Sequence, residues 1–95
     1  MNFTNLRYFV RTYENRSFTN TSKEFFVTQV AVSQQIKLVE TELGAELFYR
    51  KQNKIFPTKE GEYFYRVAKD IIQKYDHAAN MIKIHGKNKN ITIAK

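Results

Sequence analysis

The sequence has no cysteine and only one proline and three glycines among its 95 residues. Without cysteine the chain has no disulfide framework, no thiolate metal ligand and no cysteine nucleophile. No apolar run approaches the roughly 18 residues of a transmembrane helix, and the N-terminus lacks the basic and then apolar layout of a secretory signal. We therefore expect a protein of the reducing cytoplasm that does not enter a membrane.

Acidic residues are also in deficit. Lys and Arg number 16 against 9 Asp and Glu, which gives a formal net charge of +7 and a pI near 9.7. A surplus of this size in one small domain indicates a polyanionic partner, nucleic acid before an anionic membrane. Hydrophobic residues make up 42% and aromatic residues 15% of the chain, so we expect a packed core rather than disorder.

The apolar spacing predicts two helices in the first part of the chain. Over residues 4–14, hydrophobic side chains recur at steps of three and four, which places them on one helix face. After a short turn, Ser17 can cap a second, short helix. Its inner face is formed by Phe18, Thr21, Ser22 and Phe25.

A third helix is predicted from Gln29 to about Leu43, between Thr28 as its N-cap and Gly44 as its stop. At about 100° per residue, one stripe is apolar and the opposite face is open. The stripe consists of Val32, Ile36, Val39 and Leu43, and the open face of Val30, Gln34, Lys37 and Thr41 with Ser33 at its flank. Two helices joined by a tight turn, the second with an open outer face, indicate a helix-turn-helix that places its second helix in the DNA major groove.

Short amide and hydroxyl side chains near the start of this helix can pair with base edges, and a valine can contact a thymine methyl group. The candidates are Gln29, Val30, Ser33, Gln34 and Gln35. From residue 25 to residue 39 there is no carboxylate, and Lys37 carries the only charge. A surface that approaches phosphates must exclude acids, although an ordinary solvated face also fits this pattern.

A β-hairpin is predicted over residues 47–57, where two short apolar runs flank a polar, basic centre and Pro57 ends the second strand. Residues 47–59 again contain no carboxylate. Their basic residues are Arg50, Lys51, Lys54 and Lys59. Two acid-free segments beside a capped amphipathic helix favour DNA binding over two unrelated solvated faces.

The fourth and longest helix is predicted to begin after Thr58, to reach His85 and to end at Gly86. Alternating steps of four and three give it a seam for pairing with a second helix. The predicted seam consists of Phe64, Ala68, Ile71, Tyr75, Ala78 and Ile82. Residues 87–95 are expected to form a hinge and the start of an effector domain that is missing here.

In this order, the segments resemble the N-terminal domain of LysR-type transcriptional regulators. The resemblance extends over about residues 1 to 90 and rests on residues 6–10, 17–19, 27–36, 42–44 and 47–50 and on Thr58 with Gly61. It implies a mainly α fold, in which a winged helix-turn-helix of three core helices and a β-hairpin wing occupies residues 1–57. A linker helix over residues 58–86 would then pair antiparallel with its counterpart in a second subunit.

The resemblance also implies roles for individual residues. Bases would be contacted by Gln29, Val30, Ser33 and Gln34, and the DNA backbone or minor groove by Thr28, Lys37, Arg50, Lys51, Asn53 and Lys54. The function implied is that of a sequence-specific transcription factor, which binds an inverted-repeat operator as a homodimer or, at full length, as a tetramer. No metal or cofactor is implied here, and an inducer would bind the missing C-terminal domain.

The sequence departs from the family pattern at a few positions. Val30 stands where the family often has proline, which leaves the start of the recognition helix less firmly set. Thr21 and Ser22 replace a usual pair of alanines where two helices approach closely, and we expect the packing to survive because both residues are small. Pro57 replaces a common leucine, which is expected to shorten the second strand of the wing.

Other function classes fit less well. An enzyme is disfavoured because His77 and His85 lack the i, i+4 spacing of a helical metal pair, and no Gly-rich phosphate loop is present. The six tyrosines suggest stacking on single-stranded nucleic acid, but they follow the apolar spacing of helices. A module that only pairs through its long helix would have no need for the basic hairpin.

Overall fold

The computed structural model describes residues 1–88. Its elements are α1 (Phe3–Asn15), α2 (Phe18–Phe25), α3 (Gln29–Leu43), β1 (Phe48–Lys51), β2 (Lys54–Pro57) and α4 (Lys59–Asn88). The two strands form one antiparallel hairpin. The predicted architecture of three core helices, a wing and a long helix is therefore confirmed, whereas residues 89–95 of the predicted hinge and effector-domain start lie outside the described residues.

Side-chain caps set where the first three helices begin. Asn2 and Asn5 form a reciprocal capping box at the start of α1. The hydroxyl oxygens of Ser17 and Thr28 each accept a hydrogen bond from a backbone N–H in the first turn of α2 and α3, both at 3.0 Å. A cap of this kind contributes about 1 kcal/mol to stability, so the two caps predicted from the sequence fix the ends of the helix-turn-helix.

The core is centred on Phe9, which is fully buried. Its ring centroid lies 5.5 Å from that of Phe48 and 5.4 Å from that of Phe64, so one side chain joins α1 to the wing and to α4. The other buried hydrophobic residues are Leu6, Tyr8, Val10, Val32, Ile36, Val39, Leu47, Phe48, Ile55 and Ala68. This core supports the wing and the two helices of the helix-turn-helix from one side.

Two details of the predicted helices are wrong. Leu43 is 42% exposed, because it lies in the last turn of α3, where the helix has passed the core and approaches the start of α4. The long helix does not end at Gly86 but continues to Asn88. A glycine ends a helix when it adopts the left-handed conformation, as Gly44 does with φ 72°, and Gly86 does not adopt it.

Buried hydroxyl groups replace methyl groups where α1 meets α2. The Thr21 hydroxyl oxygen accepts a hydrogen bond from the Thr12 hydroxyl at 2.8 Å and another from the Asn15 amide at 3.1 Å. The Ser22 hydroxyl donates to the Thr19 carbonyl oxygen at 2.7 Å. Within residues 1–86 every buried side-chain N or O atom has a partner, so the close approach of the two helices survives the departure from alanine.

The start of α4 lies directly against the segment that enters the wing. The Thr58 amide donates to the Leu47 carbonyl oxygen at 3.0 Å, and the Thr58 hydroxyl donates to the Glu46 carbonyl oxygen at 2.6 Å. A Cβ atom at Gly61 would lie 3.0 Å from the Leu47 carbonyl carbon and closer still to its oxygen. The absence of a side chain at Gly61 therefore allows α4 to approach the wing this closely.

Polar contacts hold α4 along α1. The Arg7 guanidinium donates two hydrogen bonds to Asp76, at 2.8 and 3.2 Å, and Glu14 accepts from the Tyr65 hydroxyl at 2.6 Å and from Lys69 at 3.1 Å. Burial raises the pKa of Glu14, but the hydrogen bonds that it accepts, led by that from Tyr65, leave its pKa below the usual value. Exposed ion pairs contribute at most about 1 kcal/mol each, so their main effect is to set the direction of α4.

Candidate nucleic-acid interface

The N-terminal half of α3 presents a continuous exposed surface. Its exposed residues are Gln29, Val30, Ser33, Gln34 and Lys37, and Thr28 is exposed at the cap. On a helix, these five positions of α3 fall within an arc of about 140°. The helix N-terminus also carries a partial positive charge that attracts phosphate groups. All four residues predicted to contact bases are thus brought together on one face.

Val30 does not disturb the start of the recognition helix. Thr28 has the extended backbone of an N-cap, with φ −77° and ψ 155°, and its carbonyl oxygen accepts the first helical hydrogen bond from Val32 at 3.2 Å. Val30 itself is 63% exposed. The Thr28 cap therefore sets the first turn without proline and leaves an apolar side chain free to meet a thymine methyl group.

The glutamines of α3 differ in their surroundings. Gln29 accepts a hydrogen bond from the Thr19 hydroxyl at 3.2 Å, which orients its amide and leaves the NH₂ group free to donate. Gln35, also considered from its residue type, is half-buried and accepts a hydrogen bond from Asn5 of α1. Gln35 thus joins two helices and does not belong to the exposed face of α3. Thr19 supports Gln29 through its hydroxyl group, a contact that the sequence pattern did not reveal.

The wing carries its basic residues on a regular two-stranded hairpin. Its tip consists of Gln52 and Asn53, with φ of 53° and 62°, the pair of left-handed residues that suits the twist of a two-residue hairpin. Arg50, Lys51, Asn53 and Lys54 are all exposed. Pro57 pairs with Phe48 at the open end and both strands have four residues, so the expected shortening of the second strand is wrong.

An aromatic ring of α2 holds Arg50 in place. The Arg50 guanidinium carbon lies 5.4 Å from the centroid of the Phe18 ring, and that ring meets Phe48 edge-on at 6.1 Å. A cation over an aromatic face is attracted by about 0.5–1 kcal/mol at an exposed site. This contact therefore favours a position of Arg50 against α2, where it lines a cleft together with Ser33 and Lys37 of α3.

A cleft of 260 Å³ opens where the starts of α2 and α3 meet the wing. It is lined by Arg16, Ser17, Phe18, Thr19, Gln29, Arg50, Asn53, Lys54 and Ile55. Three of these residues are cationic and none is acidic, which suits a DNA phosphate group. The Arg16 guanidinium lies 5.0 Å from the centroid of the Tyr13 ring and donates to the Tyr13 carbonyl oxygen at 2.7 Å. The sequence pattern did not point to Arg16 as part of this cleft.

The sequence of this chain is similar to those of known proteins. Residues 3–62 match the family described as "Bacterial regulatory helix-turn-helix protein, lysR family". The chain belongs to the LysR family. The HTH-type transcriptional regulator BenM of Acinetobacter baylyi is 35% identical over 83 residues, which cover 87% of this chain and 27% of BenM. The glycine cleavage system transcriptional activator of Escherichia coli is 34% identical over 89 residues, which cover 94% of this chain and 29% of that protein.

Solved structures of LysR-family proteins agree with this fold. The crystal structure of the BenM DNA-binding domain with catB site 1 DNA has a TM-score of 0.85 at 34% identity, and the match covers 90% of this chain and 96% of that one. The CbnR DNA-binding domain in its DNA complex has a TM-score of 0.82 at 24% identity, a likeness of fold alone. The LysR relatives are transcriptional regulators, not enzymes, and this chain spans less than a third of the length of the two named above.

The apolar side chains of α4 in this LysR-family domain fall into two groups. Ala68 is fully buried and Phe64 is half-buried against Phe9, so both pack within the protomer, and the prediction of Ala68 as a seam residue is wrong. Ile71, Tyr75, Ala78 and Ile82 are exposed. Val67, which was not predicted, is also exposed and lies on the same side of the helix as Ile71.

Within residues 1–88, no group of three or more His, Cys, Asp or Glu side chains is arranged to hold a metal ion. None of the helices in this part of the chain combines the length and apolar character needed to cross a membrane.

Proposed function

We propose that this LysR-family domain binds duplex DNA sequence-specifically at an inverted repeat, with one α3 in the major groove of each half-site. The observation that carries the proposal is the exposed polar face of α3, which lies beside a cationic, acid-free cleft shared by α2 and the wing. BenM and CbnR were crystallised with DNA through domains of this fold, which supports the assignment.

The proposed contacts divide by chemistry. The amides of Gln29 and Gln34 can each make a bidentate pair with adenine, Ser33 can donate or accept, and Val30 can cover a thymine methyl group. Phosphates or the minor groove would be contacted by Thr28, Lys37, Arg50, Lys51, Asn53 and Lys54, with Arg16 as an addition. Phosphate contacts supply affinity and position, whereas base contacts supply sequence preference.

We propose that two chains pair antiparallel through the exposed face of α4. The seam proposed here consists of four exposed residues of the predicted seam, Ile71, Tyr75, Ala78 and Ile82, together with the exposed Val67. Residues 1–57 then form the DNA-binding unit and α4 the dimerisation helix, followed by a hinge to an effector domain that binds an inducer. A tetramer at full length and a cytoplasmic location, where bacterial DNA lies, complete the proposal.

Selection of bound duplexes from a random pool, followed by footprinting of the selected sequence, tests this function. The expected result is an inverted repeat whose half-site centres lie about 10 base pairs, or a multiple of that distance, apart. Recovery of sequences without two-fold symmetry would contradict binding as a symmetric dimer. Failure to enrich any sequence would contradict specific recognition.

Arg50→Ala is expected to weaken binding to every duplex about equally and to reduce the slope of log K against log salt by about 1, because one phosphate contact is lost. The measurement is a salt titration on the selected operator and on random duplex. Arg66→Ala is the matched control, since Arg66 is exposed on α4 away from α3 and the wing. A change in base preference with an unchanged salt slope would contradict the phosphate role of Arg50.

A further inference from the structure

Phe26 is the most exposed large hydrophobic residue among residues 1–86, with 94% of its surface accessible. It lies in the turn between α2 and α3 and has a left-handed backbone, with φ 57° and ψ 43°. Bulky residues rarely adopt this conformation, because their Cβ atom crowds the following carbonyl oxygen. Phe26 therefore combines an unfavourable backbone conformation with an apolar ring that is left in water.

The turn requires the left-handed backbone of Phe26 but not its side chain. The Phe26 amide donates to the Lys23 carbonyl oxygen at 3.3 Å, and the Val27 amide donates to the Ser22 carbonyl oxygen at 3.0 Å. This pair of bonds is a Schellman motif, whose left-handed position is usually occupied by glycine or asparagine. The apolar residue that accompanies such a motif is Val27, which packs against the core. A strained position whose side chain supports no packing indicates a role outside the folded chain.

Phe26 lies at the edge of the proposed DNA interface. It precedes Thr28, the exposed cap of α3, by two residues, a stretch of chain that spans at most about 7 Å. A helix with its side chains is about 10–12 Å across and fills a major groove that is about 12 Å wide. A side chain just outside the first turn of α3 therefore meets the sugar-phosphate backbone that borders the groove, not the base edges inside it.

The charges around Phe26 suit a polyanion. Residues 25–39 contain no carboxylate, and Lys23 is exposed on the preceding turn. The nearest acid before this segment is Glu24, whose Oε2 atom accepts a hydrogen bond from Nε of Arg11 at 2.8 Å. A phosphate group does not attract an apolar ring, but the deoxyribose beside it presents C–H groups, which are the apolar part of the DNA backbone.

We propose that Phe26 packs against a deoxyribose ring of the DNA backbone at the edge of the major groove. This inference rests on the proposed DNA binding and adds a contact of a different chemistry to it. Burial of an apolar ring displaces water but releases no condensed counterion. The contact therefore raises affinity for every duplex without adding to the salt dependence, in contrast to the contacts of the cationic side chains.

Phe26→Asn tests this contact, because asparagine tolerates the left-handed backbone and lacks the ring. The variant is expected to have a Tm higher by about 4 °C, since strain is relieved and no packing is lost. Its affinity is expected to fall about tenfold or more for the selected operator and for random duplex alike, with an unchanged slope of log K against log salt. Phe26→Tyr, which keeps the ring, is expected to bind within about twofold of the wild type. Ile84→Asn is the matched control, since it removes another exposed apolar side chain far along α4 and is expected to leave DNA affinity unchanged.

The outcomes separate this inference from the proposed function. If the wild-type protein selects an operator and Phe26→Asn binds it equally well, the Phe26 contact is wrong and the function stands. A loss of preference at one base pair, or a reduced salt slope, would also overturn the sugar contact. So would a lower Tm or a loss of the dimer in sedimentation, because the ring would then support the fold or a protein contact. Failure of the wild-type protein to bind any duplex would instead contradict the proposed function itself.

Discussion

Ile71→Glu is expected to convert the protein to a monomer and to lower its affinity for the inverted-repeat operator by about a hundredfold or more. Ile71 is 41% exposed in the protomer, so folding does not require it, but pairing through α4 would bury it. A carboxylate buried there without a partner loses its hydration, which opposes dimerisation. Without the dimer, the two recognition helices no longer bind the two half-sites as one linked unit, so the affinity for the operator falls. Sedimentation and operator binding, measured on the same samples, test this prediction.

Ile84→Glu is the control for Ile71→Glu, because it places the same charge on an exposed isoleucine of the same helix outside the seam. It is expected to leave both the dimer and operator binding almost unchanged. A wild-type protein that is monomeric at tens of micromolar, or an Ile71→Glu protein that remains dimeric, would contradict pairing through this face.

Gly61→Ala is expected to lower the free energy of unfolding by about 3 kcal/mol, at the upper end of the range for overpacking. The added methyl group would lie against the carbonyl group of Leu47, a backbone atom that cannot rotate away. To make room, α4 must separate from the wing entry and weaken the hydrogen bond from the Thr58 amide to Leu47. Urea unfolding monitored by circular dichroism measures the change.

Gly86→Ala provides the contrast for Gly61→Ala. A Cβ atom at Gly86 would meet nothing within 4 Å, and the residue lies inside α4. Alanine is favoured over glycine in a helix by up to about 1 kcal/mol, so this substitution is expected to be neutral or slightly stabilising. Equal effects of the two substitutions on the free energy of unfolding would show that stability does not depend on the close approach at Gly61.

The parts of the fold that the sequence predicts well are those governed by local chemistry. Ser17 and Thr28 cap helices through bonds that span three residues, and Gly44 ends a helix through its own backbone conformation. The hairpin was predicted for the same reason, since apolar runs and a polar tip are neighbours in the chain. Such signals fix the elements of a winged helix-turn-helix before any tertiary contact is known.

Contacts between distant segments were not predictable from the same signals. The bond between Asn5 and Gln35 joins residues 30 positions apart, and it removes an amide that looked suitable for DNA. Thr19 was missed as the support for Gln29, although they are only 10 positions apart, because they lie on different helices. Spacing shows which residue types occur near the start of α3, but the packing of α1 and α2 decides which of them remain available.

The proposed dimerisation face of α4 shows the same limit. A stripe of apolar residues on α4 indicates burial without indicating what buries it. Ala68 is covered by the protomer's own core, while Val67, one position earlier, is exposed. The true exposed stripe is therefore rotated from the predicted seam in the first half of the helix and coincides with it from Ile71 onward.

Binding of Gln29→Ala and Gln34→Ala to a panel of single-base operator variants tests most directly whether the face of α3 selects the DNA sequence. Each substitution is expected to reduce affinity for the selected operator by about 1–3 kcal/mol and affinity for random duplex by much less. The lost preference should map to one or two base pairs at symmetric positions of the half-sites. Gln73→Ala, which removes an exposed amide of α4, should change nothing. If both α3 variants kept the wild-type preference at every position, this helix would not be the element that selects the sequence.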